Sequence, residues 1–425
     1  MKVSIIPSKT GFPKLPKESS IDHFVRQFLL EKLANIQYGQ ITVADSGRFY
    51  TFGQSTKAFS LKTTINVHHP RFYARIVLGG SIGAAEAYMD GMWSTGDLTT
   101  VIRILIRNQS VFEEMEKGWA RLSEPVHRIY HALRRNTLQG SKSNIIAHYD
   151  LGNDFYALFL DETMTYSCGI FEKDQCSMEE ASTAKYRRIC QKLQLTSKDH
   201  VLEIGTGWGG FAIFAAGHYG CRVTTTTISP EQYKLASQRI HQEDLTDKIT
   251  LLCRDYRKME GCYDKLVSIE MIEAVGHQYL DTFFAACSRL LREDGMMMLQ
   301  AITIRDQLYE QHRRSVDFIK RYIFPGGCLP SVAAMAGSIA GNTDLTIFHL
   351  EDITPHYVKT LREWRKRFFI NIDKVRVMGF PESFIRMWEY YLCYCEAGFA
   401  ERYIGNVQML LTKPLCRREP LLPAL

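Results

Sequence analysis

No run of about 18 apolar residues occurs in this chain, so no segment is long enough to cross a bilayer as a helix. The opening Met1-Lys-Val-Ser-Ile-Ile-Pro7 also lacks the apolar core of a signal peptide. Cysteine is missing from the whole first part, none preceding Cys168. The eleven that follow are scattered, odd in number and without a C-x-x-C pair, Cys393-Tyr-Cys395 being the tightest spacing. That argues against a zinc site of paired cysteines, and no metal is expected. Reduced thiols in a cytosol-like compartment are the expectation. Charge of one sign is scarce as well. A net charge of +6 on 425 residues permits an anionic partner but is too dilute to argue for nucleic acid.

What is present is organised around Val201-Leu-Glu-Ile-Gly-Thr-Gly-Trp-Gly-Gly210. Apolar Val201, Leu202 and Ile204 read as the end of a buried parallel strand. The glycines and the following Phe211-Ala-Ile-Phe-Ala-Ala216 read as a tight turn and a helix start. Strand, turn and helix N-terminus make the first unit of a doubly wound α/β sheet, where a ligand can approach backbone N–H groups. Gly205, Gly207 and Gly210 satisfy G-x-G-x-x-G, which alone suggests a dinucleotide. The acid expected about 20 residues on to bind its ribose is absent, since the second strand, Cys221–Ile228, leads into Ser229 with threonines before it. Glu203 instead stands two residues before the first glycine. This E-x-G-x-G resembles motif I of the S-adenosylmethionine (SAM) methyltransferases, and SAM is the favoured ligand.

In chain order, residues 1–20 read as a flexible N-terminus rich in Pro, Lys and Ser. Residues 21–109 read as a small α+β domain with a helix through Phe24–Leu33, strands near 40–43, 48–52 and 58–67, and helices 71–78 and 82–89 separated by Gly79-Gly80. It carries no acid, base or metal constellation, and a lipid-holding, orienting or dimerising role is open to it. Residues 110–140 read as a charged helical linker, Arg134-Arg135 being a candidate for anionic headgroups. Residues 141–425 read as the catalytic domain. Strands near 200–204, 222–228, 249–253, 265–271 and 295–304 alternate with helices 209–217, 230–242 and 278–292. Residues 305–345 form an insertion, 345–350 a sixth strand, 357–401 a helical stretch, and 407–413 a last antiparallel strand.

The segments His148-Tyr-Asp-Leu-Gly-Asn-Asp-Phe-Tyr156, Tyr166-Ser-Cys-Gly169, Ser268-Ile-Glu-Met-Ile-Glu-Ala-Val-Gly-His277 and Tyr322-Ile-Phe-Pro-Gly-Gly-Cys-Leu-Pro330 lie in order along the chain. Together with the glycine motif they resemble the cyclopropane fatty acid synthases and the related mycolic acid methyltransferases. The resemblance runs over roughly 30–415. It implies a Rossmann-like, seven-stranded SAM methyltransferase sheet with helical insertions. It also implies transfer of a methylene from SAM to the cis double bond of an unsaturated phospholipid acyl chain, through a carbocation deprotonated by bound bicarbonate. A methyl-branched or methylene product shares the cation and stays open, as does a non-catalytic lipid-binding role. The expected setting is cytoplasmic, with peripheral contact at the inner membrane surface, and a homodimer stays open.

The resemblance assigns bicarbonate to Cys168 and Ile302 by backbone and to Glu273, Gln300 and Tyr357 by side chain. Gln300 stands where better-known members have His. Glu270 stands where some members have Gly, and reads as a solvated or structural carboxylate. SAM is assigned to Tyr166 and Ser167 at the methionine end, to Glu203, Gly205 and Gly207 at the loop, to Thr227, Ile228 and Gln232 after the second strand, and to Tyr256 beside the adenine. Tyr149, Phe155, Tyr166, Tyr322 and Tyr357 are candidates to stabilise a cation by their ring faces. Arg313, Arg314, Lys320 and Arg321 flank Val316, Phe318 and Ile319, a pattern suited to an interfacial helix with its charges on headgroups.

Overall fold

The computed structural model describes residues 20–112 and 151–421, and these fall into two compact units. Residues 1–19, Arg134-Arg135 with most of the expected linker, His148 and Tyr149 lie outside the described residues.

In the first unit, α1 (Ser20–Leu33) leads into β1 (Gly39–Asp45) and β2 (Arg48–Gln54). Ser46 and Gly47, both at positive φ, form the two-residue turn that joins them as an antiparallel hairpin. Next come β3 (Lys62–Val67), α2 (Arg71–Met89), β4 (Trp93–Thr95) and α3 (Leu98–Arg107), the last two unread in the sequence. The sheet order is β2-β1-β3-β4, with β3 parallel to β1. The two helices expected at 71–78 and 82–89 are one element broken at Gly80, whose φ of 57° and ψ of −140° a side chain would resist. A buried polar cluster pins α1 and α2 to the sheet. Asp45 Oδ2 accepts from Tyr73 Oη at 2.7 Å and pairs with Arg26 at 3.2 Å.

The second unit holds a seven-stranded sheet: β5 (His200–Ile204), β6 (Arg222–Thr227), β7 (Ile249–Cys253), β8 (Tyr263–Ile269), β9 (Leu291–Ile304), β10 (Thr346–Asp352) and β11 (Ile404–Thr412). Its order is β10-β11-β9-β8-β5-β6-β7. The pairs from β9 through β7 are parallel, while β11 runs antiparallel to both β9 and β10. Strand periodicity splits the core into two faces. Leu202, Leu266, Met297 and Leu299 pack with α7 (Leu280–Leu290) and α9 (Val332–Asn342). Val201, Val267, Met296 and Met298 pack with α4 (Met178–Lys192), α5 (Gly210–Tyr219) and α6 (Pro230–Gln242). Further helices are α8 (Asp306–Arg314), α10 (Thr354–Ile370) and α11 (Glu382–Ala400), with short ones at Asn153–Ala157 and Ile372–Val377. The chain leaves β5 toward β6 and β7, then returns to β8 on β5's other side. The crevice at the C-terminal ends of β5 and β8 is thus the switch point, where open α/β sheets bind ligands.

The boundary at 141 differs from the structure's division. Residues 315–322 and 372–403 group with the first unit. Burial of tyrosines and acids on α11 is the reason. Tyr390 packs against Tyr88, Glu389 accepts from Tyr88 Oη at 2.6 Å, and Glu401 is fully buried between Arg103 and Arg107. The expected interfacial helix is corrected on the same ground. Phe318 is buried on the Tyr390 ring at 4.8 Å, Lys320 is buried and donates to Ser315 O, and Arg321 pairs with Glu86 at 3.1 Å. Tyr322 donates to Glu86 as well, within the first unit. Arg313 and Arg314, on α8, both pair with Glu310.

Replacing Asp45 by Ala leaves the Arg26 charge buried without its carboxylate. The expected loss is about 3–5 kcal/mol, seen as a lowered urea midpoint of the transition that reports the first unit. An unchanged midpoint would show the cluster to be energetically neutral.

Candidate active site

The glycine loop sits at the C-terminal end of β5. Gly205 N and Thr206 N both donate to Thr226 O on the neighbouring strand. A Cβ at Gly210 would come within 2.5 Å of Tyr186 Oη, and one at Gly205 within 3.2 Å of Met271. Those two glycines are small because protein presses on them. Gly207, at φ 54°, would meet nothing within 4 Å, so its backbone faces open space. Beyond it α5 begins with no side-chain cap, presenting its N-terminus to a ligand.

Glu203 braces this loop from below. It is buried, and its Oε2 accepts from Thr225 Oγ1 at 2.6 Å, which also meets Thr206 Oγ1 at 2.7 Å. Burial pushes the Glu203 carboxyl up to about 8. After β6, Thr227 donates to Gln232 Oε1 at 2.8 Å and Ile228 is half-buried between them. After β7, Asp255 is gripped by Arg257, which turns Tyr256 edge-on to Phe283 at 5.5 Å. Thr227, Ile228, Gln232 and Tyr256 therefore follow the strand ends on the same edge of the sheet as the loop. Tyr166 lies in a cluster with Tyr156 (5.3 Å) and Trp364 (5.2 Å), and Ser167 accepts from Lys185 Nζ at 2.7 Å. These residues fit SAM in the chemistry they offer: an open backbone at Gly207, an uncapped helix end and polar groups along one edge.

Three of the five residues assigned to bicarbonate converge as well, but on a side chain. Glu270 follows β8. Its Oε1 accepts from Cys168 N (3.1 Å), Gln300 Nε2 (2.8 Å) and Asn406 Nδ2 (2.5 Å), and its Oε2 from Tyr357 Oη (2.7 Å). Ile302 N donates to Glu273 Oε1. Three of the assigned donors thus already hold a carboxylate and the fourth holds another, so bicarbonate does not fit among the residues as they stand. Glu270 is no freely solvated group, since it is half-buried and four protein donors hold it, as the structural alternative expects. It sits at φ 49°, in the left-handed region, where a side chain costs about 1–2 kcal/mol. Such strain persists where a surrounding structure enforces it, most often at functional sites. Glu273 Oε2 is shut from solvent without a hydrogen-bond partner. Burial first, and then the charge of Glu270, push Glu273 up to about 8.

Cys168 contributes its backbone N–H. Its thiol is held well above the usual range by burial and then by Glu270, so it offers no thiolate. Phe155 is fully buried among Phe159 and Phe368, a core residue. The sequence reading missed four supports. Lys185 is fully buried, and burial lowers it to about 8 despite the nearby charges of Glu270 and Asp161. A lysine on the buried stripe Ala181–Lys185–Ile189 of α4 was the available signal. Asn406 and Gln408 come from β11, in register with Ile302 and Gln300, and only strand pairing reveals them. Arg239 ties Trp208 O to Thr163 O, and Trp208 Nε1 donates to Asn153 Oδ1, which gives that signature asparagine a bracing task.

Glu203 and Glu273 have folded values near 8, above the ordinary carboxylate value of about 4.3. The folded chain keeps these protons where the unfolded chain has released them. Their stabilising contribution is complete below the ordinary range and is lost as pH rises through about 8. The melting temperature is expected to be lower near about pH 9 than near about pH 6, and Glu203→Gln to narrow that gap. Calorimetric melts of both proteins check this, and an unaltered gap in the variant counts against a buried proton on Glu203.

Residues 136–409 match the mycolic acid cyclopropane synthetase family. The chain is 38% identical over 373 residues to the tuberculostearic acid methyltransferase UfaA1 of Mycobacterium tuberculosis, covering 86% of this chain and 87% of that one. It is 35% identical over 357 residues to the cyclopropane-fatty-acyl-phospholipid synthase of Escherichia coli, covering 83% and 89%. Among solved structures, the mycolic acid cyclopropane synthase CmaA1 complexed with SAH and CTAB superposes with a TM-score of 0.60 at 32% identity, covering 64% of this chain and 98% of that one. The glycine loop at the switch point, the uncapped helix beyond it and these likenesses agree, and the chain belongs to the mycolic acid cyclopropane synthetase family of SAM-dependent methyltransferases.

Proposed function

We propose that this chain adds the methyl carbon of SAM to the cis double bond of an unsaturated phospholipid acyl chain and closes it to a cyclopropane. The observation that carries the reading is an ionisable carboxylate on the loop that abuts the cofactor loop, with Met271, the residue after Glu270, lying against Gly205. An O- or N-methyltransferase acts on a substrate with a lone pair. An alkene is a poorer nucleophile, and its attack leaves a carbocation that must lose a proton. That chemistry asks for a base, for exclusion of water and for faces that steady positive charge without reacting. The sulfonium of bound SAM supplies the electrophilic methyl. Tyr357, buried and edge-on to Trp364 at 6.2 Å, and Tyr166 beside the same indole supply the aromatic wall.

A methylene or methyl-branched product is the second reading, favoured by the 38% identity to a tuberculostearic acid methyltransferase. The two diverge at one hydride. Loss of a proton from the new methyl closes a ring onto the neighbouring cation; if the hydrogen on the methylated carbon first shifts to that cation, loss of the same methyl proton leaves a methylene, which needs a hydride donor to become a branch. Among the described residues no helix is long and apolar enough to cross a membrane. The reading therefore has the chain meeting its lipid peripherally, at the inner membrane surface.

Lipids from cells expressing the chain are expected to gain one CH₂ per double bond by mass spectrometry, and ozonolysis resistance separates ring from methylene. Unaltered lipids would remove the reading. Cofactor binding has its own check. Gly207→Ala places a methyl in the open space over the loop and is expected to weaken S-adenosylhomocysteine binding at least about tenfold by calorimetry, a loss of about 1.4 kcal/mol. Gly47→Ala, also at positive φ but in the first unit's hairpin, is expected to leave it unchanged.

A further inference from the structure

We infer that the Glu270 carboxylate stands in for a bound anion and is the base that takes the proton, an inference that rests on reading the chain as an alkene-alkylating enzyme. Four donors converge on this one group: Cys168 N, Gln300 Nε2, Asn406 Nδ2 and Tyr357 Oη. Neutral donors in that number satisfy the carboxylate oxygens by hydrogen bonding, with no salt bridge to a cation among them. The two oxygens are unequal. Oε1 takes three donors and is saturated, whereas Oε2 takes only Tyr357 and keeps a lone pair for a proton.

The amides are oriented for an anion that never leaves. Gln300 Oε1 is occupied by Gln408 Nε2 at 3.0 Å, and Gln408 Oε1 by Lys192 Nζ at 2.8 Å, so Gln300 must present its Nε2 to Glu270. Backbone placement points the same way. Glu270 occupies a left-handed conformation that suits glycine, and its N–H is tied to Gln300 O at 2.8 Å. A carboxylate is retained there against local strain. Through Met271 the same loop rests on Gly205, which sets the carboxylate beside the cofactor loop.

The step balances. The alkene π pair forms the bond to the methyl carbon as the S–C bond breaks, and the S–C pair stays on sulfur. The neighbouring chain carbon is left cationic. Glu270 Oε2 takes a proton from the new methyl, and the released C–H pair closes the third side of the ring. For a methylene product a hydride first moves from the methylated carbon to the cationic one, and the proton then leaves the same methyl, its C–H pair forming the new double bond. In either case the positive charge of the sulfonium ends as the proton on Glu270, and no other reactant is required.

The test compares wild type, Glu270→Gln and Glu270→Gly, each checked for S-adenosylhomocysteine affinity. Turnover is measured on vesicles of unsaturated phospholipid with SAM, in buffer stripped of carbon dioxide or supplied with millimolar [¹³C]bicarbonate. Wild type is expected to turn over equally in both buffers and to show no bound bicarbonate by ¹³C NMR. Glu270→Gln, close in shape, is expected to lose on the order of 10²-fold in kcat with cofactor affinity unchanged. Glu270→Gly frees the donors at a φ that glycine favours, and is expected to bind bicarbonate by NMR and to recover about tenfold or more of its lost turnover when bicarbonate is supplied. Wild-type turnover in Glu270→Gln overturns the inference, and so does a wild type that binds or requires bicarbonate. If wild type alkylates no lipid, the functional reading fails by itself. The NMR comparison then still decides the occupant: bicarbonate bound by wild type overturns the Glu270 assignment, and binding by Glu270→Gly alone upholds it.

Discussion

A carboxylate drawn half out of solvent must be given donors, and the placement of half-buried Glu270 shows how much of the second unit serves that demand. Its four hydrogen bonds come from separate elements: the segment after Tyr166, β9, α10 and β11. Each contributes one donor because no single local segment can wrap an anion from all sides. The polar residues inside the sheet follow from the same need. Gln300 and Gln408 face each other across the antiparallel pair β9–β11, and Lys192 on α4 closes the chain against Glu351 at 2.6 Å. Left unpaired, any of these groups would carry the cost of burial without return.

The second carboxylate shows the opposite regime. Glu273 takes one backbone donor and has an oxygen with no partner, so enclosure and its neighbour's charge both favour the protonated form. Two acids three residues apart thus stand in different surroundings: Glu270 takes four donors, whereas Glu273 takes one and is held toward its protonated form. The family that the chain belongs to is shown by its likenesses; the distribution of donors is what distinguishes this member's site.

Much of this was legible along the chain. Strand β5 and helix α6 fall where their patterns put them, because parallel strands buried on both faces read as apolar runs and a Ser-Pro start marks a helix. The last strand was expected antiparallel and is. The glycine loop, Tyr357, Cys168, Gln300 and Ile302 were all named, and the structure gathers the last four around two acids. Local pattern did not reveal α3, β4 or the return of α11 to the first unit, since an amphipathic helix advertises a buried face without naming its partner.

The sequence by itself determined the α/β class and the Gly-loop crevice, because periodicity and turn residues act over a few positions, while the groups near the chemistry were named through the family resemblance. Only the tertiary structure decided what those groups hold. Glu270 is one residue beyond a strand, and nothing within its neighbourhood in the chain says whether it points to water or into a cage. That depends on Cys168, 102 positions earlier, and Asn406, 136 positions later, reaching the same oxygen. Hydrogen-bond satisfaction is a property of three-dimensional closure, which no local stretch of chain carries.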